Sequence, residues 1–468
     1  MAIDAEPHAN PYLTGHFAPV PDERVDRNLE IIGDLPAGLV GTYMRNGANP
    51  AFTPPGRYHI FDGDGMIHAI TFDGEGGAHY RNRFVESKGL IAERRLGKAV
   101  FGGLSEFTLP PDDLASEVGF FKNTANTNII RHADRILALM EAGHPTEMSA
   151  DLETIGEFTF GDRLQGPMTA HPRIDASTGE MCFFGYLPFP PFLRFHVVSP
   201  SGELVRSVDV DAGRATMMHD FVITDRNVIF FDLPALFDLD SMLSGGPGIY
   251  WDGAAGARIG VLPRDGGSDD VTWIETDPFY VFHFMNAKEL ADGRIEVIGC
   301  RSNQLNVSFD PDVKPPEGTS PKMTRWTIDV VAGTIVTEAL DDRSADFPRI
   351  DDRRSGLDYR YGYVGHTSRF DDDELIFDGV TKWDWSNNTD VTHLYGPGTR
   401  AGEAVFAEDP SSTVEDAGWL LNFVTDDATS ATSLIILDAQ RMEQVCEVKI
   451  PRRVPFGFHG NWMAGLLP

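Results

Sequence analysis

Cysteine, basic side chains and long apolar runs are scarce in this sequence of 468 residues, and each scarcity excludes a class of protein. The three cysteines, Cys182, Cys300 and Cys446, are far apart, and each stands beside apolar residues. This pattern predicts reduced thiols in the core, not a disulfide framework or a thiolate metal site. Lysine and arginine number 39 against 71 acidic residues, which gives a formal net charge of −32. Such a charge disfavours binding of nucleic acid through its phosphates.

No apolar run approaches the roughly 18 residues that suggest a membrane-spanning helix. Residues 1–8 contain neither a basic segment nor an apolar core, so we expect no secretory signal peptide and a cytoplasmic protein. The acidic residues are scattered in turns such as 371–374, which predicts a solvated surface. Because this surface is not attracted to anionic lipid, any contact with a bilayer is expected to be peripheral, hydrophobic and weak. The sequence leaves the oligomeric state open.

Short β-rich runs separated by turn formers are abundant. The run at 66–72 precedes a Gly-rich turn at 73–77, and the runs at 419–424 and 433–438 flank a turn rich in Asp and Thr. Hairpins of this kind recur from about residue 40 onwards, without the alternation of strands and helices that a parallel sheet requires. We therefore predict an all-β fold, and a β-propeller in particular, because it leaves few exposed strand edges. No WD-like or kelch-like repeat fixes the number of blades.

Few segments depart from this pattern. Residues 1–40 are predicted to form an extended N-terminal arm, followed by a first strand at 40–45. Helices are predicted at about 87–103 and 235–243, within segments that cap one face of the propeller. Long loops on a rigid scaffold often carry substrate contacts. We expect such loops at 101–120, 234–258 and 305–322.

Four of the 14 histidines stand in similar settings, each next to a strand-like apolar segment and far from the next one along the chain. Ligands donated by different blades towards a central axis would have this spacing. Imidazole binds Fe, Zn, Cu or Ni, so the residue type points to a metal site without choosing the metal. The remaining histidines are interpreted as surface or core side chains. The four are His171, His219, His283 and His459.

Seven short motifs give these histidines a context. Together they resemble the carotenoid cleavage oxygenase family in its bacterial form, a family that includes apocarotenoid oxygenases and lignostilbene dioxygenases. The match runs in order from about residue 10 to the end, and an ordered series is harder to match by chance than any one motif. The motifs are Phe61-Asp-Gly-Asp-Gly-Met, Ala125-Asn-Thr-Asn, Thr169-Ala-His-Pro, Met218-His-Asp-Phe, Phe347-Pro-Arg-Ile, Glu415-Asp-Ala-Gly-Trp-Leu and Phe458-His-Gly.

This resemblance implies a seven-bladed β-propeller, formed as a single domain by residues 1–468, with a cap of helices and loops over the face that bears the metal. It implies a ferrous iron, Fe(2+), on the propeller axis, held by His171, His219, His283 and His459. The implied reaction is the cleavage of a carbon–carbon double bond with O2 to give two carbonyl products.

Carboxylates are expected behind the histidines, because a ligating imidazole usually donates its other N–H to an acceptor that fixes the ring. In the family, glutamates fill three of these places, and the matching residues here are Glu141, Glu403 and Asp346. The shorter Asp346 departs from the family pattern and would reach an imidazole either directly or through a water. The resemblance also places Thr127 beside the iron, where it restricts a coordination position, and Phe61 on the wall of the pocket. Exposed turn charges, strand packing and core packing are the alternatives for these five residues.

Two further positions bear on the substrate. Family members that cleave lignostilbenes bind a phenol with a lysine directly before the first carboxylate and with an upstream tyrosine. The matching residues here are Met140 and Leu104. Because a phenol would lose hydrogen bonds in so apolar a pocket, we predict that 4-hydroxystilbenes are poor substrates. A carotenoid or apocarotenoid is the preferred substrate, and an aryl alkene such as a stilbene or phenylpropanoid is the alternative.

Three other kinds of propeller compete with this interpretation. A protein-interaction propeller would not require four such histidines and would have clearer repeats. A hydrolytic propeller with Ca²⁺ or Mg²⁺ would need oxygen ligands on the axis, and no acidic cluster outranks the histidines. A family member that binds its ligand without cleaving it would agree with the departure at Asp346. Measurement of bound metal separates the interaction propeller from the oxygenase.

Overall fold

The structure of the chain is a computed structural model that describes residues 10–305, 319–368, 370–371 and 374–468. The first nine residues of the predicted arm and most of the loop predicted at 305–322 lie outside the described residues, as does part of the acidic turn at 371–374. Strands dominate the described residues, so the prediction of an all-β fold is confirmed.

The strands of the first half of the chain begin in the N-terminal segment. In order they are β1 (Arg24–Asp26), β2 (Ile31–Gly33), β3 (Gly41–Arg45), β4 (Met66–Phe72), β5 (Ala78–Phe84), β6 (Asn128–His132), β7 (Arg135–Leu139), β8 (Thr146–Met148), β9 (Thr154–Glu157), β10 (Arg173–Ile174), β11 (Met181–Tyr186), β12 (Phe192–Val198), β13 (Leu204–Asp211), β14 (Val222–Ile223), β15 (Asn227–Asp232), β16 (Ala235–Phe237), β17 (Ile249–Trp251), β18 (Ala257–Pro263) and β19 (Thr272–Thr276).

The strands of the second half continue the pattern to the end of the sequence. They are β20 (Tyr280–Glu289), β21 (Ile295–Ser302), β22 (Lys322–Asp329), β23 (Thr334–Arg349), β24 (Tyr361–His366), β25 (Phe370–Asp371), β26 (Glu374–Leu375), β27 (Gly379–Asp384), β28 (Thr389–Leu394), β29 (Thr399–Ala401), β30 (Val405–Glu408), β31 (Gly418–Asp426), β32 (Thr432–Asp438), β33 (Glu443–Ile450) and β34 (Gly460–Ala464).

Antiparallel sheets form the seven blades of a propeller, as predicted. Blades 1 to 4 have the strand orders β1-β5-β4-β3-β34, β6-β7-β8-β9, β10-β11-β12-β13 and β14-β15-β18-β19. Blade 5 contains β20 to β23, and blade 6 contains β23, β24, β27 and β28, because the long strand β23 passes from one sheet into the next. Blade 7 contains β2, β33, β32, β31 and β29, with β30 beside β31.

Strands from both ends of the sequence close this ring. The last strand, β34, pairs with β3, with Gly460 opposite Arg45. β1 joins the outer edge of blade 1 through β5, and β2 joins the outer edge of blade 7 through β33. The segment predicted as an extended arm therefore contributes two short strands ahead of the predicted first strand at 40–45, which is β3. Each of these strands covers a sheet edge that would otherwise be exposed.

Burial differs between the middle and outermost strands of a blade. All seven residues of β4 and all six of β11 are buried, whereas buried and exposed residues largely alternate along β13. A middle strand packs against a neighbouring blade on each face and is buried along its whole length, whereas an outermost strand has one face in water. Phe184 and Phe230, on neighbouring blades, are fully buried, and each such side chain stabilises the fold by about 2 kcal/mol. The three cysteines are buried and unpaired, as predicted.

The first predicted helix is shorter than expected. α1 spans Lys88–Leu96, and the Ser87 hydroxyl accepts the N–H of Leu90 at its start. Gly97 adopts a left-handed conformation with φ 68° and ends the helix, so the prediction of 87–103 was too long. A second helix, α2 (Asp112–Val118), lies in the segment predicted as a loop at 101–120.

The second predicted helix was wrong over its first half. Residues of β16 pair with β17, and the third helix, α3 (Leu239–Leu243), begins only after Asp238, whose carboxylate accepts the N–H of Ser241. Pairing with a partner strand outweighs the helical preference of so short a run. No helix in the described part of the chain is long and apolar enough to cross a membrane. Short 3₁₀ turns occur at Pro11–Leu13, Gly15–Phe17, Ile60–Asp62, Gly253–Ala255, Ser268–Asp270 and Asp352–Arg354.

Candidate metal centre

Four histidines from four blades meet near the centre of the ring. Their ligating nitrogens all lie within 4.8 Å of one another. Because metal–nitrogen bonds are about 2 Å long, nitrogens on one ion lie about 3–4 Å apart, so this spacing suits a single ion. The Nε2 atom of His283 is buried and has no hydrogen-bond partner among the described residues, which is the state of a nitrogen that a metal would satisfy. The group is His171, His219, His283 and His459.

Each of these histidines stands at or near the start of an inner strand. His171 lies two residues before β10, His219 three residues before β14, and His459 directly before β34. His283 lies within β20, where the pairing with β21 shifts register between Val281 and Phe284. A bulge of this kind re-aims a side chain. The inner strands surround the propeller axis, so histidines far apart in the sequence come together.

Carboxylates lie behind three of the four imidazoles. In each pair the Nδ1–H donates to a carboxylate oxygen, which directs the Nε2 lone pair towards the centre. In the described part of the chain, no carboxylate is hydrogen-bonded to His171; its Nε2 lies 2.9 Å from that of His219. The pairs are His219 with Glu141 at 2.6 Å, His283 with Asp346 at 2.8 Å, and His459 with Glu403 at 3.1 Å.

Asp346 reaches its histidine directly, without the longer side chain that is usual in the family. The same oxygen, Oδ1, also accepts the backbone N–H of Phe347 at 2.8 Å. Phe347 has φ 53°, a left-handed conformation that is strained for a phenylalanine. Its ring packs against His283, with 5.3 Å between ring centroids. We attribute the short reach of Asp346 to this tight local backbone.

Glu403 is held by other groups in addition to His459. Its Oε2 accepts the backbone N–H of Gly460 at 2.9 Å, and Arg349 lies 3.5 Å from Oε1. Arg349 also donates to the carbonyl of Gly460 and to the side chain of Asn461, so it ties Glu403 to the start of β34. The sequence analysis did not single out Arg349, although it belongs to the quoted motif Phe347-Pro-Arg-Ile.

A buried ion pair links the segments that carry three of the histidines. Arg173, two residues after His171, donates to both carboxylate oxygens of Asp220, which follows His219. Asp220 also accepts the backbone N–H of Phe284, which follows His283. The Asp220 side chain is 1% exposed. This residue was present in the motif Met218-His-Asp-Phe, but its role depends on contacts between blades that a motif does not encode.

Glu141 has a second partner on the wall of the cavity. The Tyr186 hydroxyl donates to its Oε1 at 2.7 Å, while Oε2 accepts from His219. Tyr186 ends β11 and is 8% exposed. Nothing in the sequence pointed to this tyrosine, because its position beside Glu141 follows from the packing of blade 3 on blade 2.

Burial is the main influence on the ionisation of the centre. It lowers the pKa of His171 well below its usual value, and the neighbouring imidazoles lower it further. Burial also lowers the pKa of His459, although Glu403 opposes the effect. At His283, burial is outweighed by the Asp346 carboxylate, so the pKa of His283 is raised. Burial favours the protonated form of Glu403 and so raises its pKa. Arg349 and His459 outweigh this effect and lower the pKa of Glu403 to about 2. Neutral imidazoles backed by ionised carboxylates are the forms that bind a metal.

A cavity of about 1360 Å³ opens onto this centre. Its wall includes His219, His283 and His459, and Thr127 lies beside them. The carbonyl of Thr127 accepts the N–H of His459 at 3.1 Å, and its hydroxyl donates to Asn126. Thr127 therefore lies next to the histidines, and its role in restricting a coordination position stays a prediction.

The predicted pocket residues Phe61, Met140 and Leu104 all line this cavity. Leu104 is 39% exposed and lies at the rim. The wall is more polar than these residues alone suggest, since Tyr186 and Lys122 also contribute to it. Tyr186 is bonded to Glu141, and Lys122 is held between Asp64 and Glu93, both at 2.5 Å. These polar groups are therefore engaged by partners in the protein.

The sequence is similar to those of known alkene-cleaving enzymes. A family model described as "Retinal pigment epithelial membrane protein" matches residues 17–464. A carotenoid cleavage oxygenase of Mycobacterium tuberculosis is 33% identical, over 97% of this chain and 97% of its own. A carotenoid 9,10(9',10')-cleavage dioxygenase 1 of Pisum sativum is 34% identical, over 96% of this chain and 89% of its own.

Solved structures are similar along almost the whole chain. The lignostilbene dioxygenase of Pseudomonas brassicacearum has a TM-score of 0.90 at 29% identity, over 97% of this chain and 98% of its own. A cobalt-substituted apocarotenoid oxygenase of Synechocystis has a TM-score of 0.84 at 28% identity, over 95% of this chain and 97% of its own. Fold, site and similarity together define an alkene-cleaving dioxygenase. The chain belongs to the carotenoid cleavage oxygenase family, as its motifs predicted.

Proposed function

We propose that this protein is a non-haem iron(II) dioxygenase that cleaves a carbon–carbon double bond of an apolar polyene, a carotenoid or apocarotenoid, with O2. The observation that carries the proposal is the convergence of four imidazoles, three of them backed by carboxylates. Four neutral nitrogen ligands leave the full charge of a divalent ion uncompensated by the ligands themselves. Iron(II), when bound there, would supply the redox chemistry that joins O2 to the alkene.

The protein's own residues would position and enclose the reactants. His171, His219, His283 and His459 would hold the ion, and the carboxylates of Glu141, Asp346 and Glu403 would fix three of the rings. Thr127 stands beside His459 and would narrow the space next to the ion. Phe61 and Met140 would place one double bond of the substrate against the centre. In enzymes that use a bound metal or cofactor, such placement by the protein determines much of the substrate specificity.

The size and lining of the cavity support a long apolar substrate. Its volume of about 1360 Å³ exceeds the roughly 300–1,000 Å³ of ordinary ligand pockets, so a small aryl alkene would fill little of it. Met140 and Leu104 offer no hydrogen bond to a phenol, and Tyr186 and Lys122 are already engaged. The match of the family model over residues 17–464 supports the proposal that the chain forms a single domain.

Metal content and products test this proposal together. The iron-loaded protein is expected to contain one iron per chain and, in air, to convert polyenes to pairs of carbonyl products detected by mass spectrometry. Replacement of His283 by alanine should lower iron content more than about tenfold. His196→Ala is the matched control, because His196 is also buried but bonds to Ser207 away from the centre. Equal iron content in the two variants would refute the assignment of the site.

An aryl alkene is the second candidate substrate, favoured by the similarity to the lignostilbene dioxygenase structure. The assay should therefore contain carotenoids, apocarotenals, stilbenes with and without hydroxyl groups, and propenylbenzenes. We expect products from the polyenes and little from 4-hydroxystilbenes. Rapid cleavage of the hydroxystilbenes would show that Met140 and Leu104 do not exclude a phenol.

A further inference from the structure

The cavity extends beyond the metal centre to a polar end over blade 7. This blade-7 end is formed by the N-terminal 3₁₀ turn Gly15–Phe17, by β29, by the hairpin between β31 and β32, and by the segment after β33. Most of these side chains are polar or charged. The residues that define it are His16, Arg400, Thr425, Asp426, Arg453 and Phe456.

The opposite end of the cavity is apolar. Phe189, from the hairpin between β11 and β12, is 56% exposed, and Leu239, at the start of α3, is 38% exposed. These residues belong to blades 3 and 4, which lie across the ring from blade 7 in a seven-bladed propeller. The cavity therefore has one apolar end and one polar end on opposite sides of the axis. A substrate that spans it would meet two different environments.

Arg453 is the unusual feature of the blade-7 end. Its guanidinium donates to two backbone carbonyls, those of His16 at 3.1 Å and Ala18 at 2.5 Å. No carboxylate forms an ion pair with it among the described residues, and burial, followed by the nearby Arg452, lowers the pKa of Arg453. A guanidinium has five N–H donors, and the two backbone carbonyls accept from only two of them. The other N–H groups remain available for another acceptor. Such a group is stabilised when an anionic or carbonyl oxygen is brought to it.

His16 adds a buried nitrogen that lacks a hydrogen-bond partner. Its Nδ1 is buried and has no hydrogen-bond partner in the described part of the chain. Burial, together with the charges of Arg45, Arg400 and Arg453, lowers the pKa of His16 to about 3, so the ring is neutral. Arg400 is itself paired with Asp427 at 2.7 Å, whereas Arg453 has no such partner among the described residues. A neutral imidazole beside arginines can complete the hydrogen bonds of an oxygenated group without adding charge.

We propose that the blade-7 end binds an oxygenated terminus of the substrate, and a carboxylate most tightly, through Arg453 and His16. The apolar chain of the substrate would then run past the metal centre towards Phe189 and Leu239. This inference rests on the proposed function, because it concerns the same cavity. It narrows the substrate class to polyenes with one polar end, such as apocarotenoid acids and aldehydes.

Binding measured without oxygen tests the inference separately from cleavage. The iron-loaded protein is titrated anaerobically with three polyenes of equal length that end in a methyl group, an aldehyde or a carboxylate, and quenching of tryptophan fluorescence gives each Kd. We expect the acid to bind roughly 10- to 100-fold more tightly than the hydrocarbon, as hydrogen bonds to charged groups do. Arg453→Met should reduce this ratio to about twofold or less, and Arg453→Lys should retain part of it.

Arg452→Met is the matched control. Arg452 also anchors the N-terminal segment, through the carbonyl and carboxylate of Asp22, but it does not line the cavity. The control should keep the preference for the acid. An unchanged preference in Arg453→Met, or an equal loss in both variants, would overturn the inference. If the hydrocarbon binds as tightly as the acid, the proposed role of the blade-7 end is refuted, but the proposed function is not. If none of the three polyenes binds, both proposals are refuted.

Discussion

The metal centre and the wall of the cavity are built by different parts of the same propeller. The histidines stand on inner strands, and each of the three backing carboxylates is fixed within a network that joins neighbouring blades. The wall is built largely by connecting segments, among them the 3₁₀ turn at Ile60–Asp62, the segment around Leu104 and the blade-7 hairpin. Inner strands are constrained on both faces, whereas connecting segments are constrained on one. The centre should therefore tolerate substitution less than the wall.

The largest effect is expected at Asp220. Asp220→Ala removes a buried carboxylate and leaves Arg173 uncompensated between the segments that carry three histidines. Loss of one partner from a buried pair should lower the free energy of unfolding by about 3 kcal/mol, measured by urea denaturation. Asp358→Ala removes a 90%-exposed carboxylate from its pair with Lys288 and should cost less than about 1 kcal/mol. Similar costs for the two variants would contradict the contrast between centre and surface.

A smaller effect, confined to metal binding, is expected at Tyr186. Tyr186→Phe removes the hydroxyl that holds Glu141 and should weaken the affinity for iron(II) or cobalt(II) by roughly tenfold, measured by competition with a chelator. Tyr280→Phe is the matched control, because Tyr280 is also buried near Glu141 but its hydroxyl has no hydrogen-bond partner among the described residues. The control should retain the parental affinity. Identical affinities in both variants would show that Glu141 needs no second partner.

The smallest effect is expected in the wall, at Asp62. Burial raises the pKa of Asp62 to about 6, against the N–H groups of Leu104 and His59 that lower it. The folded state therefore binds the proton of Asp62 more tightly than the unfolded state does. The contribution of this group to the free energy of unfolding is greatest below pH 4 and falls as the pH rises towards 6. A shift of about two pKa units corresponds to about 3 kcal/mol. Because the Asp62 side chain is only partly buried, solvent screening should reduce the fall to about 1–2 kcal/mol, and the fall should be absent in Asp62→Asn, as measured by denaturation at several pH values. A parallel pH profile in the variant would contradict this account.

The sequence predicted the centre better than the wall for a physical reason. A metal ligand needs a particular atom type, so His171 and His459 stand in recognisable motifs. Asp346 was identified by position, but its direct contact with His283 depends on the conformation of Phe347, which no pattern reveals. Asp220 also belongs to one of those motifs, but its role was not predicted, because its partners are contributed by other blades.

The class of fold was predicted correctly, but several strand pairings and helix boundaries were not. Alternation and turn formers indicated hairpins, but the pairing of β2 with β33 joins residues from opposite ends of the sequence. The helix predicted at 235–243 failed because pairing of β16 with β17 decides the conformation of its first residues. The polar end of the cavity was invisible in the sequence, because His16, Arg400 and Arg453 come from separate segments and become neighbours only in the closed ring.

The pairing of β34 with β3 sets an order of events during synthesis. When the first 450 residues have been made, three of the four histidines are present, but His459 and the strand that closes blade 1 have not yet been synthesised. The nascent chain thus passes through a stage with an incomplete ligand set and an unpaired β3. Under the proposed function, metal capture and ring closure would be one late step, in which the same few residues supply the last proposed ligand and the last strand.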